Sequence, residues 1–328
     1  MRRVNLPKVL NGVLMRKFVL IKAPVFEGLL AALHDEYDVQ VILDDAERHE
    51  FIAKNSERID AVLTNGTKGM TAEEMSGMPN LKLVSCFGAG YEGVDLDAAM
   101  KSGVALSHGP GANDVSVADH TMALLFAIVR RIVKSDANVH KGGWKSPEDN
   151  WPRLTGKNLG ILGLGRIGMR IATRAQGFDM NIHYNNRNPR SDVDFTYHKT
   201  VNDLAAASDF LIVVCPGGPE TRYLINTESL TALGPNGYLV NVGRGSVVNN
   251  DDLAAALNNG VIAAAGLDVF EGEPTAPKVL LDAQNLTITP HVAGRAPESQ
   301  TTMVDLYKRN LANFFAGKPL ETPVPGSV

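Results

Sequence analysis

Short apolar runs alternate with stretches of helical spacing along most of this chain. In the first third, Phe18–Ile21, Val39–Leu43, Ala61–Leu63, Leu81–Cys86 and Val104–Leu106 read as strands, with Phe26–His34 and Leu96–Lys101 as helices between them. From mid-chain the alternation resumes, with strands expected at Leu159–Leu162, Asn181–Tyr184, Phe210–Val214, Tyr238–Val242, Val261–Ala264 and Leu286–Ile288. Alternation of this kind predicts parallel sheets covered by helices. A long helix, about Asp114–Lys141, separates the two series. Its centre, Met122–Val129, is apolar on every face and should be buried all round, either in the core or against a second subunit. A final helix, about Pro297–Ala316, is expected to return to the first domain, with Lys318–Val328 as a loosely attached end.

The strand Leu159–Leu162 runs into Gly163-Leu164-Gly165-Arg166-Ile167-Gly168, and a helix, Met169–Gln176, follows. In this context G-x-G-x-x-G has a physical reading as a dinucleotide site. Gly163 tightens the turn, Gly165 lets backbone N–H groups approach a pyrophosphate, and Gly168 lets the helix pack on its strand. The helix N-terminus adds unpaired donors and partial positive charge. Elsewhere such glycines make plain tight turns. The fold class expected is therefore α/β with two doubly wound domains. A Rossmann coenzyme-binding domain at 110–296 is inserted in a flavodoxin-like substrate domain made of 1–109 and 297–328.

Composition narrows the setting. At 328 residues there is room for about two domains, and a net charge of −4 with no basic tract gives no reason to expect a nucleic-acid partner. The longest apolar run is too short to span a bilayer, so no membrane partner is expected either. Cys86 and Cys215 lie in separate strand-like runs and read as free thiols of a reducing compartment. The first fifteen residues carry no secretory pattern, which makes the cytoplasm the expected location. No metal-ligand set is singled out.

Candidate chemistry lies at strand ends. A site for NAD usually places an acid near the end of its second strand, to hold the ribose 2′-hydroxyl. Here Asn185-Asn186-Arg187 stands there instead. A guanidinium can bind a 2′-phosphate that a carboxylate would repel, so NADP(H) is expected in preference to NAD(H), with a solvated basic turn as the alternative. Further on come Val242-Gly243-Arg244-Gly245, then Asp268 with Glu273, then Pro290-His291. Hydride transfer to a carbonyl needs a proton donor and a substrate anchor. His291 suits the first role, Glu273 can fix its tautomer, and Arg244 can clamp a carboxylate beside the carbonyl. Taken singly, the same residues read as a capping histidine, a surface glutamate and a loop arginine.

These pieces, with Gly88-Ala89-Gly90-Tyr91, Val94-Asp95, Cys215-Pro216, Pro219-Glu220-Thr221 and Gly266-Leu267-Asp268-Val269, resemble the D-isomer-specific 2-hydroxyacid dehydrogenases, most of all their glyoxylate/hydroxypyruvate reductase branch. The resemblance implies an oxidoreductase reducing small 2-oxo acids to D-2-hydroxy acids, with Arg244, Glu273 and His291 catalytic. It implies substrate binding by Gly88, Ala89 and Gly90 with Arg244 and His291. Coenzyme contacts from Cys215, Pro216, Val242, Gly243 and Asp268 are implied as well, Asp268 toward the nicotinamide carboxamide. Homodimers are usual in the family, which favours a subunit interface through 114–150, where Gly142-Gly143-Trp144 resembles a loop beside the substrate pocket. Departures are Asp119 in place of the family's usual acidic residue, and Ala293-Gly294-Arg295 where small hydroxyl residues are usual. Arg295 suits a second anionic group on a substrate or faces solvent. A formate dehydrogenase-like site would pair its histidine with an amide rather than Glu273. Larger or aromatic 2-oxo acids, and a dinucleotide-sensing corepressor-like scaffold, remain alternatives.

Overall fold

The computed structural model describes residues 16–145 and 150–327, together with a two-residue antiparallel ladder, Val9–Leu10 with Val13–Leu14. The rest of the N-terminal fifteen residues, and 146–149 within the expected interface region, lie outside the described residues. The chain divides into two compact units, one comprising residues up to Asn113 with Ala296 onward, the other Asp114–Arg295.

The first unit carries five parallel strands, laterally Asp38–Val41, Phe18–Ile21, Ile59–Thr64, Leu83–Cys86 and Ala105–Ser107. Counted along the chain this is 2-1-3-4-5, the flavodoxin-like order. Its helix Pro297–Phe315 lays Tyr307 and Leu311 onto Val19, Ile21, Leu29 and Leu33, so the chain does return to its first unit. The C-terminal segment is not loose, contrary to expectation. Glu321 and Thr322 donate backbone N–H groups to Asn310, the Thr322 hydroxyl donates to His108 O at 2.6 Å, and Val324 is buried. Backbone groups that would otherwise be idle find fixed partners, which is what anchors a terminus.

The second unit carries seven parallel strands, laterally Thr196–Tyr197, Asn181–Asn185, Asn158–Leu162, Phe210–Val213, Tyr238–Asn241, Ala264–Leu267 and Leu286–Ile288. The order 3-2-1-4-5-6-7 extends the Rossmann arrangement by one strand. The strand expected at Val261–Ala264 lies instead at Ala264–Leu267. Val261 and Ile262 serve the helix exit: Val261 N–H closes onto Ala256 O and Ile262 is buried in the core. The strand itself is built of small residues because helix Asp114–Val129 crosses it closely. A side chain at Gly266 would come within 3.5 Å of Leu124 and Ile128.

The long helix is interrupted. Asp114–Val129 is followed by Ile132–His140, with Arg131 in the left-handed region at φ 50° between them. The first segment is not buried all round, since Ala123 is exposed and Phe126 is half-buried. The second buries no residue within its own unit and leaves Ile132, Val133 and Val139 exposed.

One feature of the first unit had no sequence signal. Lys22, just past strand Phe18–Ile21, lies 2.6 Å from Glu74, which also accepts from Arg48 at 3.3 Å, and all three are buried. Burial alone would raise the Glu74 carboxyl; Lys22, the Thr71 N–H and Arg48 outweigh it and hold it below the ordinary carboxylate value. Burial and the neighbouring Arg48 lower the Lys22 ammonium despite its partner, because two cations share this one buried anion. Glu74 therefore contributes stability that is present above its unfolded value and lost as pH falls through its folded one. Replacing Glu74 with Gln should lower unfolding free energy by about 3–5 kcal/mol, the cost of stranding buried charge. Urea midpoints at neutral pH check this, and a change below 1 kcal/mol would count against it, an interval set by surface-pair strength.

Candidate active site

Leu162 ends a buried strand, and Gly163 turns the chain with φ 104°. A β-carbon on Gly163 would stand 2.7 Å from the Cys215 backbone, so no other residue fits between these strand ends. One on Gly168 would lie 2.4 Å from Gly163 O, which is the close helix–strand contact. Gly165 differs, because its missing side chain faces open space with no atom within 4 Å. It caps helix Arg166–Gln176 without any side-chain acceptor, leaving first-turn N–H groups for an anion. This cradle fits a pyrophosphate. Arg166 points away to Asp114 at 2.7 Å, Ile167 is partly buried, and Leu164 is a core residue whose N–H donates to Asn186 Oδ1 at 2.7 Å.

Asn186 thus ties the glycine loop to the second strand, while Arg187 stands 90% exposed, 3.6 Å from Glu220. Arg190, missed in the sequence reading, donates to Leu164 O at 2.8 Å and pairs with Asp192. Its spacing three residues beyond Arg187, across Pro189, was the available signal. Cys215 is buried, and burial pushes its thiol up to about 12, so it lines the site as a neutral group. Pro216 beside it is exposed, and its carbonyl accepts from the Thr221 hydroxyl.

Three adjacent strands end level, Asn241 pairing with Leu267 and Leu267 with Ile288. Past the first, the wholly buried Asn241 builds the turn: its Oδ1 accepts from Gly243 N–H and its Nδ2 donates to Arg244 O, both at 3.0 Å. Val242 is buried, and Gly243 sits against Cys215 O. Arg244 is partly buried, its stem over Gly217 and its Nη1 on Gly243 O.

Past the second strand, Asp268 is 1% exposed. Its carboxylate accepts from the Thr289 hydroxyl at 2.6 Å and from the Val292 and Ala293 N–H groups at 2.9 Å. Its carbonyl accepts the His291 N–H at 2.9 Å. Past the third strand, His291 adopts φ 54°, a region sparsely populated by residues other than glycine, though histidine enters it more readily than most. These bonds hold it there.

The imidazole Nδ1 lies 2.6 Å from Glu273 Oε2, and Glu273 Oε1 accepts the Phe270 N–H. A carboxylate is acceptor-only, so Nδ1 carries a proton. Among the described residues nothing bonds Nε2, and the His291 side chain is 44% exposed. The structure thus brings His291 and Glu273 into contact, with Arg244 on a neighbouring strand end. In the other unit, Gly88–Gly90 form a partly buried loop at the carboxyl end of strand Leu83–Cys86, and Gly88 has φ 117°. Arg295 is exposed.

Residues 122–293 match the family described as D-isomer specific 2-hydroxyacid dehydrogenase, NAD binding domain. The chain is 39% identical over 307 residues to hydroxyphenylpyruvate reductase of Plectranthus scutellarioides, covering 93% of this chain and 98% of that one. It is 36% identical, with the same coverage, to glyoxylate/hydroxypyruvate reductase A of Arabidopsis thaliana. A crystal structure of NADPH-dependent glyoxylate/hydroxypyruvate reductase from Sinorhizobium meliloti, in complex with NADP and malonate, superposes with a TM-score of 0.85 at 35% identity, covering 95% of this chain and 98% of that one. With a dinucleotide cradle at one strand end and a carboxylate-held histidine at another, the chain belongs to the D-isomer-specific 2-hydroxyacid dehydrogenase family and is an oxidoreductase acting on CH–OH groups.

Proposed function

We propose that this protein reduces small 2-oxo acids of the glyoxylate and hydroxypyruvate type to D-2-hydroxy acids, using NADPH in preference to NADH. The observation that carries the reading is the 2.6 Å contact between His291 Nδ1 and Glu273, which leaves Nε2 open for a substrate oxygen. Arg244 clamps the substrate carboxylate by paired charge-assisted bonds and polarises the adjacent carbonyl. Backbone N–H groups of Gly88, Ala89 and Gly90 are assigned to carboxylate binding from the loop's place at the carboxyl end of its own sheet. The bound reduced dinucleotide supplies the hydride. His291 gives its Nε2 proton to the carbonyl oxygen, so that hydride and proton together convert the carbonyl to the alcohol. Glu273 stabilises the imidazolium before transfer and keeps the ring in one orientation.

The preference for NADPH is supported by the lack of a carboxylate at Asn186-Arg187 and by the exposure of Arg187, whose surface pair with Glu220 a 2′-phosphate can displace. Asp268 is assigned to the nicotinamide carboxamide, reached past the loop its carboxylate holds. A second reading, larger aromatic 2-oxo acids, is favoured by the hydroxyphenylpyruvate reductase relative. A homodimer is supported by Ile132, Val133, Val139 and Trp144, all more than half exposed. Cytoplasmic location belongs to the same proposal; among the described residues no helix is long and apolar enough to cross a membrane.

Assayed by NADPH absorbance with glyoxylate, hydroxypyruvate and phenylpyruvate, the protein should turn over at least one. His291→Ala should lower kcat about 10²–10⁴-fold with coenzyme affinity intact, the usual worth of a positioned acid. Tight coenzyme binding with no turnover of any 2-oxo acid would favour the scaffold reading. Arg187→Asp should weaken NADPH about 10- to 100-fold and leave NADH nearly unchanged, as expected for a lost bond to a charged group. Equal weakening of both would remove Arg187 from the phosphate site. In light scattering the protein should be a dimer that Ile132→Glu with Val133→Glu makes monomeric; a monomeric parent protein would refute the interface.

A further inference from the structure

His120 lies on helix Asp114–Val129, outside the residues so far given a role. Its neighbours Ala118 and Thr121 are fully buried, and its own side chain is 23% exposed. Nε2 of His120 reaches Thr289 Oγ1 at 3.0 Å and stands 3.5 Å from Asp268 Oδ1. We propose that His120 is a positioning residue for proton transfer at His291, acting through Thr289 and Asp268.

Donor counting fixes the direction of the relay. Every described partner of the Asp268 carboxylate is a donor: two backbone N–H groups and the Thr289 hydroxyl. A carboxylate whose partners are all donors is left to accept only. The Thr289 hydroxyl has one proton, and the 2.6 Å bond to Asp268 takes it. Toward His120 that oxygen can only accept, so Nε2 of His120 carries a proton. The helix thereby supplies an N–H that fixes the threonine rotamer and faces the buried charge of Asp268.

What this steers is the loop 289–293. Thr289 and Asp268 both accept the His291 N–H through their carbonyls, and the Asp268 carboxylate holds the two residues that follow. His291 is thus fixed on both sides, in a backbone conformation it would not keep unaided. If the Thr289 hydroxyl turns away, one of the three donors on Asp268 goes with it, and the loop loses a point of attachment two residues from the reacting imidazole. A shift well under an ångström at Nε2 is enough to slow proton transfer. Glutamine can present an N–H near the position of Nε2, whereas leucine fills the space without a donor.

The inference rests on His291 being the proton donor, and the test separates the two. His120→Leu should lower kcat about 10-fold, the worth of a bond to a charged network. Coenzyme affinity should fall less than kcat, since the cradle at Gly163–Gly168 is on another strand end and Asp268, assigned to the nicotinamide carboxamide, keeps its two backbone donors. The solvent isotope effect on kcat should rise, and His120→Gln should recover most of the rate. Independently of turnover, the downfield NMR resonance of the Nδ1 proton shared by His291 and Glu273 should shift in His120→Leu and return in His120→Gln. An unchanged rate and resonance in His120→Leu would overturn the proposal. So would a loss that glutamine fails to recover while the resonance stays put, which is the signature of general destabilisation. A wild-type protein inactive on every 2-oxo acid would defeat the proposed function, and the resonance alone would then decide the positioning role.

Discussion

The loop that carries His291 in the coenzyme unit depends on one buried carboxylate. Asp268 is cut off from solvent, and a lone ion there would be costly by several kcal/mol. It is tolerated because three donors from one short loop converge on it, from Thr289, Val292 and Ala293. The arrangement works in both directions. The loop satisfies the charge, and the charge compels the loop to close around it, forcing His291 into positive φ. The cost of that backbone, on the order of 1–3 kcal/mol, is met by bonds that have no role in chemistry. Preorganisation here is an electrostatic consequence, with the imidazole delivered to Glu273 as the by-product.

At the dinucleotide edge two arginines three residues apart are held differently. Arg190 is committed, its guanidinium divided between Leu164 O and Asp192, so it stiffens the glycine loop from outside. Arg187 has a single described partner, an exposed carboxylate at 3.6 Å, an interaction of small worth in water. A phosphate arriving at this edge meets one cation that is free to turn and one whose donors are already in use. On the proposed reading, discrimination between the two coenzymes would reside in Arg187, and the order of the loop that presents it in Arg190 and Asn186.

The sequence made legible those features whose cause is local. Period-2 and period-3.6 patterning gave both parallel sheets, and Gly163, Gly165 and Gly168 gave the cradle, because each of those residues answers to backbone geometry within a few positions. Less local causes escaped. Val261 and Ile262 looked like strand and are a helix exit, since the actual strand, Ala264–Leu267, is small to admit Leu124 and Ile128 from far away in sequence. The break at Arg131 has no proline or glycine to announce it. The anchoring of Thr322 by Asn310 and His108 depends on a contact more than two hundred residues apart. The Lys22–Glu74–Arg48 cluster joins three elements whose charges looked like ordinary surface.

Histidine shows how far residue type alone falls short. His183 faces His198 at 2.9 Å with no carboxylate bonded to it among the described residues, and burial, then its neighbour, lowers its affinity for a proton. One ring donates to the other, and the pair closes an edge of the sheet. His120 donates to a hydroxyl that is itself spent on Asp268, so its proton has a structural destination. His291 alone of these has a hydrogen bond from one nitrogen to a carboxylate, leaves the other unbonded among described residues, and keeps enough exposure to exchange protons with water. A general acid needs all three conditions: a held ring, a free donor, and a route to recover the proton. At His183 and His120 the ring is held too, but the bonded nitrogen is committed to a neighbouring side chain. On the proposed reading, the partner each ring meets decides whether an imidazole reacts or merely holds.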